Sequence, residues 1–126
     1  MTAPSPRNRP LVLLVEDDSL LRWASAEALA QAGFDVIEAA DAHTALVTLQ
    51  SRDDVSVLFT DIEMPGMMDG LELARRARDL WPALRILVTS ARSAPPARTL
   101  PARGRFVGKP YAQDEIVRDI DRMLAA

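Results

Sequence analysis

Groups able to do chemistry stand at the ends of apolar runs in this chain: Glu16, Asp17 and Asp18 after Leu11 to Val15, Asp61 after Val55 to Phe59, Ser90 after Arg85 to Thr89, and Lys109 after Arg105 to Gly108. One acid at such a point is most simply a solvated strand-end residue, its carboxylate meeting water where the strand leaves the core. The set carries more weight. Carboxylates on one rim repel one another unless they share a cation, and oxygen ligands at an exposed rim suit Mg²⁺, which takes one or two carboxylates and keeps several waters. An ammonium and a hydroxyl facing the same carboxylate complete a cradle for a phosphoryl group, because its transfer needs mainly positioning and neutralisation of the equatorial oxygens. In such a cradle Asp61 is the nucleophile, held ionised by the adjacent cations, and the product is an acyl phosphate.

The elements that must position these groups can be read in order. Leu11 to Val15 is a continuous aliphatic run, a strand covered on both faces. Leu20, Leu21, Ala24, Ala28 and Leu29 recur at helical spacing, with Asp18 or Ser19 as cap and Gly33 past the end. Asp35 to Ala39 is a second strand, and Asp41 caps a helix through about Gln50. His43 lies in its first turn and reads as a surface residue. After the Asp61 strand, the Pro65-Gly66 turn and Gly70 lead to a third helix over Leu71 to Leu80, closed by Trp81-Pro82. Arg85 to Thr89 and Arg105 to Gly108 are the fourth and fifth strands, and Asp114 to Leu124 is a last amphipathic helix. Five strands alternating with helices over short connections indicate a parallel sheet with helices on both faces. In such a sheet ligands bind beyond the carboxyl ends of the strands, where the strand order reverses.

With 126 residues and 48% hydrophobic content the chain is one ordinary domain. Residues 1–10, rich in proline, read as a disordered tail, and 11–126 as the folded domain. Without cysteine, disulfides and thiolate metal sites are excluded, and a single histidine excludes a histidine metal cluster. The net charge of -3 argues against a nucleic-acid partner. No apolar run approaches a membrane span, so a cytoplasmic protein with no membrane partner is expected. Met1 and the short carboxyl end favour a whole gene product over a piece cut from a longer chain.

From Leu11 to the carboxyl terminus the chain resembles the receiver domain of two-component response regulators. The resemblance rests on the acidic cluster after the first strand, Asp61-Ile62-Glu63-Met64-Pro65-Gly66, Thr89-Ser90-Ala91, and Lys109-Pro110-Tyr111. It implies a flavodoxin-like α/β fold, a five-stranded parallel sheet in order 2-1-3-4-5 with helices on both faces. It makes Asp61 the phosphoacceptor, Ser90 the switch hydroxyl and Lys109 the phosphate-binding lysine, with Lys109-Pro110 a bond often cis. For Mg²⁺ it implies Asp17 as direct ligand, Glu16 through water, Asp61, and the backbone carbonyl of Glu63. Asp18 fits a helix cap better than a metal ligand, although a one-residue shift of alignment reverses this. Phe106 takes the place of the family's switch aromatic, and Glu63 and Arg92 occupy the positions that modulate hydrolysis, where an ion pair over the phosphoryl group is expected.

The implied function is that of a stand-alone receiver, taking a phosphoryl group from a histidine kinase or phosphotransfer protein and switching a surface for an unknown downstream protein. It is a signalling module rather than an enzyme, and homodimerisation is left open. Two departures stand out. Met67-Met68 adds one residue to the loop between Asp61 and Gly70, and Ser93 to Gly104, with Pro95, Pro96 and Pro101, replaces the regular fourth helix by a short or mobile segment. Two other readings are a receiver-like interaction domain without phosphoryl turnover, opposed by the intact Asp17, Asp61, Ser90 and Lys109, and a flavin-binding protein. The last lacks a Ser/Thr/Gly-rich phosphate loop after the first strand, where three acids stand instead.

Overall fold

In a computed structural model, which describes residues 9–126, the sheet residues alternate between two buried faces, and that alternation builds the domain. The elements are β1 (Leu11–Val15), α1 (Ser19–Gln31), β2 (Asp35–Ala39), α2 (Ala42–Ser51), β3 (Val57–Asp61), α3 (Gly70–Leu80), β4 (Arg85–Ser90), β5 (Arg105–Gly108) and α4 (Gln113–Ala125). All neighbouring strands are parallel, in the order β2-β1-β3-β4-β5. Leu13, Val15, Leu58, Ile86 and Val88 point to one face and pack with Ala45, Leu49, Leu73, Ala74 and Ala77 of α2 and α3. Val12, Leu14, Val57, Phe59, Leu87 and Val107 point to the other and pack with Leu29 of α1 and Ile116, Ile120 and Met123 of α4.

Helix starts follow the side-chain chemistry. Asp18, Asp41 and Asp69 each accept a backbone N–H of the first turn and so cap α1, α2 and α3. Gly33 follows α1 at φ 102°, the left-handed conformation that lets the chain turn into β2. Gly70 opens α3 against the backbone of Asp61 and Ile62, so close that a β-carbon there would collide with the Asp61 carbonyl. That contact holds the start of α3 against the end of β3.

Several expected boundaries and faces are corrected. β3 runs from Val57 to Asp61 rather than Val55 to Phe59, so Asp61 is the last residue of the strand, buried at 4% exposure instead of meeting solvent. The extension comes from pairing: Asp61 lies in register with Thr89, and the Ile62 N–H donates to the Thr89 carbonyl at 2.8 Å. β4 likewise includes Ser90, in register with Gly108. In α1, Leu20 turns outward, 74% exposed, and the helix buries Ser25 and Leu29.

Between β4 and β5 the three prolines leave a single 3-10 turn, Ala97–Thr99. The segment is nonetheless tied to α3 and the loop after it: Arg75 donates to the Thr99 carbonyl at 2.9 Å, Arg78 to the Ala102 carbonyl at 2.8 Å, and Arg103 to the Pro82 carbonyl at 2.7 Å. Most of the tail expected over 1–10 lies outside the described residues. Arg9 and Pro10 are held at the edge of the sheet, Arg9 by an ion pair to Asp35 at 3.0 Å and Pro10 by its carbonyl accepting the Asp35 N–H.

Candidate functional site

The strand order reverses at β1, whose sheet neighbours β2 and β3 are reached by helices on opposite faces, and the acidic residues stand at the carboxyl end of that junction. Glu16, at 3% exposure, follows β1; its N–H donates to the Ala39 carbonyl of β2 at 3.0 Å, and its carbonyl accepts from Arg22 of α1 at 2.8 Å. The second strand, which offered no site residue in sequence, therefore positions one through its backbone.

Lys109 reaches across from the end of β5. Its Nζ donates to Glu16 Oε1 and to Asp61 Oδ2, both at 2.8 Å. The reach is set by backbone pairing, since the Lys109 N–H donates to the Ser90 carbonyl at 2.9 Å. The Lys109-Pro110 bond is cis. Asp61 Oδ1 accepts the Glu63 N–H at 3.2 Å. Asp17 is exposed beside them, and its carboxylate, with those of Glu16 and Asp61, offers oxygens that all lie within 4.8 Å of one another. Asp18 is outside this group: its Oδ1 accepts the N–H groups of Leu20 and Leu21 at 3.0 and 3.1 Å, the capping role.

The electrostatics are unbalanced. Three carboxylates face one ammonium, and burial pushes the carboxyls of Glu16 and Asp61 above the usual carboxylate range, against the pull of Lys109. Burial works the other way on Lys109, but its hydrogen bonds and charge pairing with Asp61 and Glu16 prevail and hold the ammonium protonated well above its ordinary range. The cations expected to keep Asp61 ionised thus include Lys109, which by itself does not cancel the cost of burial. The excess of hard oxygen donors over positive charge is what a small divalent cation such as Mg²⁺ fits.

The remaining expected residues are placed as follows. Ser90, buried at 1% exposure, donates from Oγ to Glu63 Oε2 at 2.5 Å and accepts the Arg92 N–H at 2.9 Å. Glu63 Oε1 accepts the Ala91 N–H at 3.1 Å. Glu63 and Arg92 form no ion pair among the described residues, the Glu63 carboxylate being taken up by Ser90 and Ala91, and the two line one open cleft with Asp17 and Asp69. Phe106 is half-buried against the α2/α3 side of the core. Sequence reasoning gave Tyr111 no role beyond its place in the motif; its ring meets Phe59 with centroids 5.8 Å apart and its hydroxyl lies 3.3 Å from Ser25 Oγ, fixing the chain just past Lys109-Pro110. The aromatic directly after Lys-Pro was the available signal.

Fold and pocket together define a doubly wound α/β domain with an acidic, lysine-bridged site at its switch point. The chain belongs to the response regulator receiver domain family, which it matches over residues 12–121. It is 36% identical to the response regulator receiver protein CpdR of Brucella abortus, over 91% of this chain and 97% of that protein. It is 41% identical to the C4-dicarboxylate transport transcriptional regulatory protein DctD of Rhizobium meliloti over 90% of this chain but only 25% of that protein, where the same domain is one part of a longer chain. Among solved structures, a response regulator receiver protein from Sinorhizobium medicae superposes with a TM-score of 0.88 at 25% identity, covering 94% of this chain and 96% of that one. The receiver domain of the hybrid histidine kinase CckA does so at 0.77 and 26% identity, covering 90% and 98%. The expected fold and family are thus those observed.

Proposed function

We propose that this chain is a cytoplasmic phosphoacceptor in a two-component relay, in which Asp61 takes a phosphoryl group from the phosphohistidine of a histidine kinase or phosphotransfer protein. The observation that carries the reading is Lys109 Nζ bridging Glu16 and Asp61 at 2.8 Å with Asp17 alongside. An Asp61 oxygen forms the new bond to phosphorus as the phosphorus–nitrogen bond of the donor breaks, and the departing imidazole keeps the electron pair and takes a proton. Lys109 keeps an ammonium on the arriving oxygens, and burial removes competing water from Asp61. Glu16, Asp17, Asp61 and the Glu63 carbonyl would hold Mg²⁺, which when bound neutralises charge on the phosphoryl oxygens.

The product carries about -1.5 to -2 charges at Asp61. Ser90 turns its hydroxyl to the new oxygens, and Phe106 follows into the space released on the α2/α3 side. Phe106 has no hydroxyl to exchange, so the two states differ mainly in packing, and the altered surface is read by a partner protein. Incubation with radiolabelled acetyl phosphate tests this: label dependent on Mg²⁺, and lost in Asp61→Asn, is expected. A folded chain that takes no label would leave an interaction domain without phosphoryl turnover.

A further inference from the structure

From the Glu63 contacts we infer that this side chain is a built-in anion occupying the seat that the phosphoryl oxygens must take, so that it sets the affinity of the site for its own phosphoryl group. The inference rests on the phosphoacceptor reading and goes beyond it. A phosphoryl group on Asp61 needs donors besides Lys109, and at the end of β4, which pairs with Asp61 through Thr89, stand the Ser90 hydroxyl and the Ala91 N–H. Both are already used: Ser90 Oγ donates to Glu63 Oε2 at 2.5 Å and the Ala91 N–H to Glu63 Oε1 at 3.1 Å. A carboxylate held by two donors, one oxygen each, presents the same pair of acceptors as two phosphoryl oxygens would.

The carboxylate is placed there by Glu63's own backbone, whose N–H donates to Asp61 Oδ1 at 3.2 Å and folds the loop after β3 back over the acceptor. An incoming dianionic group therefore meets a fourth carboxylate as well as those of Glu16, Asp17 and Asp61. It must take both donors from Glu63 and drive that charge out into the cleft, where Arg92 is the cationic residue among Asp17, Glu63 and Asp69. Occupancy by Glu63 thus opposes the charged state and holds Ser90 in place until the phosphoryl group displaces it. A neutral or truncated side chain leaves the donors ready.

The test is the affinity for beryllofluoride with saturating Mg²⁺, measured by calorimetry on the full chain, for the native protein, Glu63→Gln and Glu63→Ala, each checked for a native melting transition. Both variants are expected to bind about tenfold tighter or better than the native chain, the scale of one charge-assisted hydrogen bond exchanged. A native chain that binds beryllofluoride, with variants equal to it or weaker, overturns the inference and leaves the phosphoacceptor reading standing. Binding by none of the three chains overturns the phosphoacceptor reading itself and this inference with it.

Discussion

At the scale of single residues, the pocket's cost and its use have one origin. Glu16 and Asp61 are buried with a single shared ammonium, and breaking such a pair by removing one partner leaves an uncompensated charge. Lys109→Ala should lower unfolding stability by about 3 kcal/mol without divalent cation, whereas Asp61→Asn should raise it by about 1 kcal/mol, both read from urea melts. The pH dependence follows from the same shifts. A carboxyl whose folded pKa is raised binds its proton more tightly when folded, so its contribution falls as pH rises from about 4 through the raised value. Lys109, also raised, contributes fully below its unfolded value near about 10 and loses that only in stronger alkali. The stability difference, Asp61→Asn minus native, should therefore grow as pH rises from about 4; a flat difference would contradict the assigned crowding. Glu16, Asp17, Asp61, Ser90 and Lys109 were legible in the sequence because each follows an apolar run. The burial of Asp61 was not, since it depends on pairing with Thr89 on a strand far along the chain.

Elements decide how well these residues are held. Gly70 brings α3 onto the backbone of Asp61, and a methyl group there has backbone, not a flexible side chain, to displace. Gly70→Ala should cost about 3 kcal/mol or more, visible as a lowered melting temperature and weakened Mg²⁺ binding; a variant as stable as native would refute the close approach. The segment between β4 and β5 behaves differently. Its prolines leave Thr99 and Leu100 as the N–H groups bonded across the 3-10 turn, while arginines of α3 hold its carbonyls. Amides from Ala94 to Ala102 are therefore expected to exchange fast in spite of the tethers, and strong protection across them would defeat this. The prolines made the missing helix legible. The tethers were not, because Arg75 and Arg78 read only as the polar face of an amphipathic helix.

For the molecule as a whole, the chain order dictates the outcome: strands that alternate with helices must wind outward from β1, and winding outward brings four loop ends to one rim. The site is thus made by topology from residues up to 93 positions apart, as between Glu16 and Lys109. Because a cation that binds only the folded rim stabilises the whole domain, Mg²⁺ at about a hundred times its dissociation constant should add about 2.7 kcal/mol to unfolding stability. That gain should vanish in Asp17→Asn. An equal gain in the variant would place the ion elsewhere.

The most direct measurement is to locate the phosphoryl group chemically. After treatment with acetyl phosphate and Mg²⁺, borohydride reduction converts a phosphorylated aspartate to homoserine, which peptide mass spectrometry can place. The account predicts homoserine at position 61 alone; modification at another acid of the rim, or at none while the chain remains folded, would contradict it.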